Sequence, residues 1–301
     1  MNYYFDWFLQ GPAIWAASCL SSMLVILLLI VNICKPGWVR ANFYGIAIPI
    51  ISVLSLLAFQ SKYLAIHVRY SWAQPWVNHL VTFARSYPCL FFKHLLPFYL
   101  DIMIVLDCLN RFIIICHPDH IAKVMNWGLV IGIQAVSLLI SSAFAFLSAK
   151  MEKDHGQSSI AVENGEYTWQ YNLAMKIVVN SLNPIFFFFF TIKICSTLSA
   201  AAAFLRRSHS TRAHAAKYER IMAFSKTICA LVVLFPLVIE NAHSGLRIAD
   251  NLRRFAFGST LSKPTMSWER ETYARYFLDI ILCLKSGSYA VAYLWLKFKQ
   301  D

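Results

Sequence analysis

Two oppositely charged residues, Asp107 and Arg111, stand in a long apolar stretch that runs from Leu90 to Pro118. They are four residues apart, so a helix would place them on one face, where a carboxylate and a guanidinium can pair. An arginine at the centre of a bilayer costs roughly 2.5 kcal/mol or more. The alternative is that Arg111 reaches the lipid headgroups, with its aliphatic stem covering apolar surface. The spacing therefore predicts either an ion pair at the end of a membrane span or a cation at the membrane surface.

Asp101, Asp279 and Lys285 also lie in apolar stretches, where ionisable residues are rare unless they face the interior of a helix bundle or water. Asp101 stands almost three helical turns before Arg111, so it is a candidate for a separate buried network. Asp279 and Lys285 are six residues apart and are not stacked on one helix face, so each is expected to pair with a neighbouring helix or with water. We interpret these three as ligand-binding candidates, together with polar residues of two other stretches: Asn180, Asn183, Glu240, Asn241 and His243.

The composition assigns the chain to a membrane. Of its 301 residues, 58% are hydrophobic and 14% are charged, whereas a soluble domain carries about 25% charged residues. A spanning helix needs about 20 mainly apolar residues. We therefore expect an all-α membrane protein that forms one seven-transmembrane helix bundle over residues 1–301, with spans at 13–34, 43–65, 95–116, 126–147, 172–195, 221–242 and 274–296.

The orientation of the predicted bundle depends on local features, because lysine and arginine divide almost evenly between its two sides. Neither residue precedes the first span, whereas Lys35 and Arg40 follow it closely. The segment from Ser199 to Arg220 is compact and strongly basic. Because short cytoplasmic loops are enriched in these residues, we expect the N-terminus outside. The absence of lysine and arginine before the first apolar run and the length of that run also argue against a cleaved signal peptide.

Charge and cysteine usage argue against several other classes of protein. The formal net charge of +12 does not indicate nucleic-acid binding, because the basic residues lie between apolar stretches, where anionic lipid headgroups and membrane orientation account for them. The eight cysteines are scattered singly, without CxxC or Cys/His spacing. The histidine pairs at 117/120 and 209/214 have no acidic cluster nearby. We therefore expect no metal, no cofactor and no enzymatic activity.

The sixth apolar stretch and its start contribute two residues to a predicted switch, and the third stretch contributes the others. Pro236 marks a kink within it. Glu219, at its start, is a candidate partner for Arg111 across the inner face, although a carboxylate there equally stabilises the positive end of its own helix. Asn110 directly precedes Arg111. These residues and Asp107 form the predicted switch.

Several motifs resemble those of nematode chemosensory serpentine receptors, most nearly class gamma, within the rhodopsin-like receptor superfamily. They are Ala41-Asn42-Phe43-Tyr44, Leu109-Asn110-Arg111-Phe112 with Pro118 and Trp127 following, Tyr218-Glu219-Arg220 and Phe277-Leu278-Asp279. The resemblance implies a receptor in the plasma membrane of sensory neurons that binds an extracellular small molecule or peptide and activates a heterotrimeric G protein through Arg111. The chain departs from the superfamily pattern at Asn110, where an acidic residue is usual. It also lacks a cysteine between spans four and five and the asparagine-proline-tyrosine motif of span seven.

Two alternatives use the same charged residues differently. A polytopic transporter or channel would use Asp101, Asp107, Asp279 and Lys285 as an ionisable path, although seven unequal spans without an inverted repeat are unusual for one. An opsin-like receptor would bind retinal through Lys285, but an isolated lysine is the only feature of the sequence that supports this interpretation.

Overall fold

The computed structural model of the chain describes residues 12–34, 43–71, 86–117, 126–161, 188–201, 212–239 and 268–300, with positions 79, 82–83, 203–204 and 242. These segments are helical, and no strand occurs among them. We number the long helices α1 (Pro12–Cys34), α2 (Phe43–Ser71), α3 (Tyr87–Cys116), α4 (Trp127–Ala161), α5 (Phe188–Ala201), α6 and α7 (Trp268–Gln300). Helix α6 joins an α-helical part, Arg212–Ile228, to a π-helical part, Cys229–Leu234, and a short α-helical continuation over 235–239.

Prolines mark both ends of α3. Pro88 lies in the first turn, where a backbone N–H would lack a helical partner in any case. At the other end the N–H of His117 bonds to the carbonyl of Ile113 at 2.9 Å, and the helix ends at Cys116. Because Pro118 disfavours helical geometry in the residue before it, the sequence stops α3 at the predicted position.

Four of the described helices are long and apolar enough to cross a membrane: Pro12–Cys34, Gly128–Lys150, Tyr218–Ile239 and Tyr276–Trp295. Helices α2 and α5 contain shorter apolar stretches, Phe43–Ala58 and Phe188–Ala201. The expected all-helical fold is therefore confirmed for the described residues, and four of their helices have the length and composition of membrane spans. The count of seven spans and the outside position of the N-terminus stay predictions.

Helices α1 and α7 pack closely through small residues. A Cβ built on Gly287 of α7 would lie 2.7 Å from the Oγ of Ser21 and 3.2 Å from its Cα, so only glycine fits there without movement. Ser18 and Ser21 are each about 1% exposed, so the face of α1 on which they lie packs against other parts of the protein. Such close approach is typical of helix pairs in membranes, where packing and not hydrophobic burial drives association.

Helix α3 supplies the centre of the core. Met103, Ile104 and Val105 are almost fully buried, and they belong to a cluster that draws residues from α1, α2, α5, α6 and α7. Helix α4 packs against α3 but exposes large apolar side chains such as Ile131 and Leu139. Exposed apolar side chains on this scale are expected where a helix faces lipid.

Candidate functional site

Arg111, near the end of α3, is paired within its own helix. One of its terminal nitrogens lies 3.1 Å from Oδ2 of Asp107, and the two side chains are 17% and 5% exposed. The spacing of four residues places them on one face of α3, as the sequence predicts. The pair is therefore mostly withdrawn from solvent, and the guanidinium is not simply a surface cation.

Tyr293 of α7 completes this pair from a neighbouring helix. Its hydroxyl donates a 2.6 Å hydrogen bond to the same Oδ2 of Asp107, and its ring lies beneath the guanidinium, with Cζ of Arg111 4.4 Å from the ring centroid. A cation over an aromatic face gains about 0.5–2 kcal/mol, depending on how far it is desolvated. One tyrosine thus contacts both charges and ties α3 to α7.

Aromatic side chains enclose this contact. The rings of Tyr289 and Tyr293 are 4.9 Å apart, and Phe224 of α6 packs edge-on against Tyr293. The Tyr289 hydroxyl is buried and has no hydrogen-bond partner among the described residues. A buried polar atom without a partner is costly in free energy. The contact between α3 and α7 therefore extends to α6 and contains an unused hydrogen-bonding group.

A second charged pair, Asp101 and Lys285, also joins α3 to α7. The Lys285 ammonium contacts Oδ1 of Asp101, and their side chains are 9% exposed or less. The expectation that Lys285 pairs with a neighbouring helix is therefore met by Asp101. Ten residues separate Asp101 from Arg111, which is about 15 Å along a helix. The structure thus places four of the candidates in two layers along the interface between α3 and α7. One layer contains Asp101 and Lys285, and the other contains Asp107 and Arg111.

A third polar network lies between α2, α3 and α4. The Tyr99 hydroxyl donates to Oε1 of Gln134 at 2.8 Å, and Nε2 of Gln134 donates to the Tyr44 hydroxyl at 3.4 Å. Gln134 is not among the candidates named from the sequence. The sequence nonetheless indicates a contact at this position, because an amide side chain within an apolar stretch needs a hydrogen-bond partner on another helix.

The π-helical part of α6 directly precedes Pro236. The N–H of Phe235 bonds to the carbonyl of Ala230, five residues earlier, so this turn is wider than an α-helical turn. Proline has no N–H to donate and its ring crowds the carbonyl four residues before it, which a widened turn relieves. The predicted kink position therefore coincides with a local change of helix type.

The remaining candidates divide into those the structure describes and those it does not. Asp279 of α7 is buried, whereas Asn110 and Glu219 are partly exposed on α3 and α6. The ion pair described for Arg111 is the one with Asp107. Five ligand-binding candidates lie outside the described residues: Asn180, Asn183, Glu240, Asn241 and His243.

Tyr293 is the site residue that sequence reasoning missed. A tyrosine near the end of an apolar helix usually belongs to the aromatic belt at the membrane interface. Nothing in the sequence separates that role from a contact with α3, because Asp107 and Tyr293 are 186 residues apart. Among the described residues no group of three or more histidine, cysteine and acidic side chains is arranged to hold a metal ion.

Comparisons with known proteins give no relationship: no protein-family model matches the chain, and no curated protein matches it significantly. The geometry of the helices is therefore the structural basis for a functional proposal.

Proposed function

We propose that this protein is a seven-helix chemosensory receptor of the plasma membrane, which binds an extracellular small molecule or peptide and activates a heterotrimeric G protein. The observation that carries the proposal is the contact of Arg111 with Asp107 and Tyr293. It holds a cation near the end of α3 in a position that changes if α7 moves. Such a contact is suited to a two-state switch, because a shift of one helix removes two interactions together.

In this proposal the layer around Asp101 and Lys285 senses the ligand. A ligand acts only through its difference in affinity between the two states. To move a receptor from 1:99 to 99:1 in favour of the active state, that difference must be about 10⁴-fold, or about 5.5 kcal/mol. A ligand that competes for one member of a buried ion pair changes the relative free energies of the two states on that scale, since a charge left unpaired in the interior costs about 3–5 kcal/mol.

Helix α6 supplies the moving element in the same proposal. Its widened turn at Cys229–Leu234 and Pro236 form a point at which the helix can bend, and Phe224 on its inner half packs on Tyr293. A bend at this point would displace Phe224 and expose the inner end of α3. Heterotrimeric G protein would then bind where Arg111 is uncovered.

Ligand-dependent signalling in a reporter cell tests this function. The receptor is expressed with a G protein and screened against volatile and water-soluble small molecules and short peptides. Arg111→Ala is then compared with Lys150→Ala, which removes an exposed lysine from α4. Loss of signalling in Arg111→Ala, at a surface expression equal to that of Lys150→Ala, supports the proposal, whereas full coupling without the arginine overturns the switch.

A transporter or channel is the second candidate, and the buried Asp101–Lys285 pair is the observation that favours it. Ionisable residues inside a membrane protein often mark an ion or proton path. Flux of protons or small cations into proteoliposomes that contain the purified protein and no G protein would support this candidate. Asp101→Asn should then abolish the flux, while Lys150→Ala should leave it unchanged.

A further inference from the structure

Three cysteines from three helices meet beside the π-helical part of α6. Cys108 lies on α3, Cys195 on α5 and Cys229 at the beginning of the π-helical part. The Cys229 thiol is a close neighbour of the thiols of both Cys108 and Cys195. All three are free thiols, and Cys108 and Cys229 are buried.

The surrounding groups hold these thiols close to α6. The Cys108 thiol also donates to the backbone carbonyl of Ser225 at 3.5 Å, one helical turn before Cys229. Lys226, on the same turn of α6, interacts electrostatically with Cys195. The cluster therefore bridges α3, α5 and α6 where α6 changes helix type, ahead of Pro236.

We propose that this cluster is an oxidation-sensitive staple, in which Cys229 forms a disulfide with Cys108 or with Cys195 and fixes α6 to a neighbouring helix. The co-reactant is hydrogen peroxide, which is small and neutral and can enter the apolar interior. One thiol attacks the peroxide, the O–O bond breaks, and a sulfenic acid and one molecule of water form. The second thiol attacks the sulfenic sulfur, an S–S bond forms and a second water leaves. The two sulfurs together lose two electrons to the peroxide, and their two protons end in the two waters.

The staple makes a specific prediction about which pairs form. Neighbouring thiols need only a local movement to reach the S–S bond length of about 2.05 Å. Cys229 neighbours both other cysteines but can bond to only one of them at a time, so its two disulfides compete. Cys116 of α3 lies two turns beyond Cys108 and is a matched control on the same helix.

Disulfide mapping of the full-length protein in native membranes tests the proposal without any variant. Membranes are treated with hydrogen peroxide, the remaining thiols are blocked, and disulfide-linked peptides are identified by mass spectrometry. We expect the dominant new links to be Cys108–Cys229 and Cys195–Cys229, both of them reversed by a reducing agent. A map in which Cys229 stays reduced, or in which pairs without Cys229 dominate, overturns the proposal.

Single substitutions then separate the two links. Cys108→Ser should leave only the Cys195–Cys229 link and increase its yield, and Cys195→Ser should do the converse. Cys229→Ser should abolish both, whereas Cys116→Ser should leave both unchanged. The measurement detects a covalent link and needs no ligand or G protein, so its outcome is independent of the proposed receptor function.

Discussion

The hydroxyl of Tyr293 on α7 and the guanidinium of Arg111 on α3 share one carboxylate oxygen, Oδ2 of Asp107. The hydrogen bond is 2.6 Å and the ion pair is 3.1 Å. Two helices are therefore held together through a single acceptor, and the ring of the same tyrosine also covers the cation. Whether this contact forms therefore depends on the relative position of α3 and α7.

Removing only the tyrosine hydroxyl separates its hydrogen bond from its ring contact. Tyr293→Phe keeps the ring under Arg111 and loses a hydrogen bond to a charged group, which contributes about 1.5–3 kcal/mol. We expect a lower thermal unfolding temperature in detergent and higher ligand-independent signalling. Tyr99→Phe, which removes a hydroxyl from the other network, should lower the unfolding temperature without raising basal signalling. Equal basal signalling in wild type and Tyr293→Phe would contradict a role of this bond in the resting state.

The Asp101–Lys285 pair predicts strong coupling between two substitutions. Asp101→Asn or Lys285→Met alone leaves a buried charge unpaired, which costs about 3–5 kcal/mol, whereas the double variant leaves no charge at either of these two positions. We therefore expect each single variant to lose most of its folded, ligand-competent protein and the double variant to recover much of it. The measurement is a double-mutant cycle on unfolding temperature and surface expression. Additive losses would show that the two side chains do not interact.

Gly287 predicts a steric effect at the contact between α1 and α7. Gly287→Ala puts a Cβ 2.7 Å from the Ser21 hydroxyl and should destabilise the protein by about 1–3 kcal/mol through overpacking. Gly132→Ala on α4 is the matched control, because a Cβ there has nothing within 4 Å. In the control we expect no loss, since alanine favours a helix by about 1 kcal/mol over glycine. Thermal unfolding of both variants in the same detergent checks the difference, and equal stability would contradict the close packing.

Topology can be measured directly in cells. An epitope tag before Met1 should be labelled on intact cells, whereas a tag inserted within residues 206–211 should be labelled only after permeabilisation. The physical reason is the retention of short basic loops in the cytoplasm. Labelling of the N-terminal tag only after permeabilisation would exclude the predicted orientation, and with it a role of Arg111 in contacting a cytoplasmic G protein.

Much of the helical organisation follows from the sequence alone. The apolar stretches are long enough to specify helices, and the end of α3 at Cys116 follows from the proline two residues later. The position of Asp107 and Arg111 on one helix face follows equally, because a spacing of four residues is a local property of one helix. A proline in the sixth stretch likewise indicates where that helix departs from regular geometry.

The contacts between helices were decided only by the tertiary structure. The sequence identifies Asp101 and Lys285 as costly residues that need partners, but it does not say that they are each other's partners across 184 positions. Tyr293, Gln134 and the thiols around Cys229 look like ordinary interfacial or core residues until the helices are placed side by side. Local spacing fixes which residues share a helix face, whereas the partner of that face depends on the packing of all the helices at once.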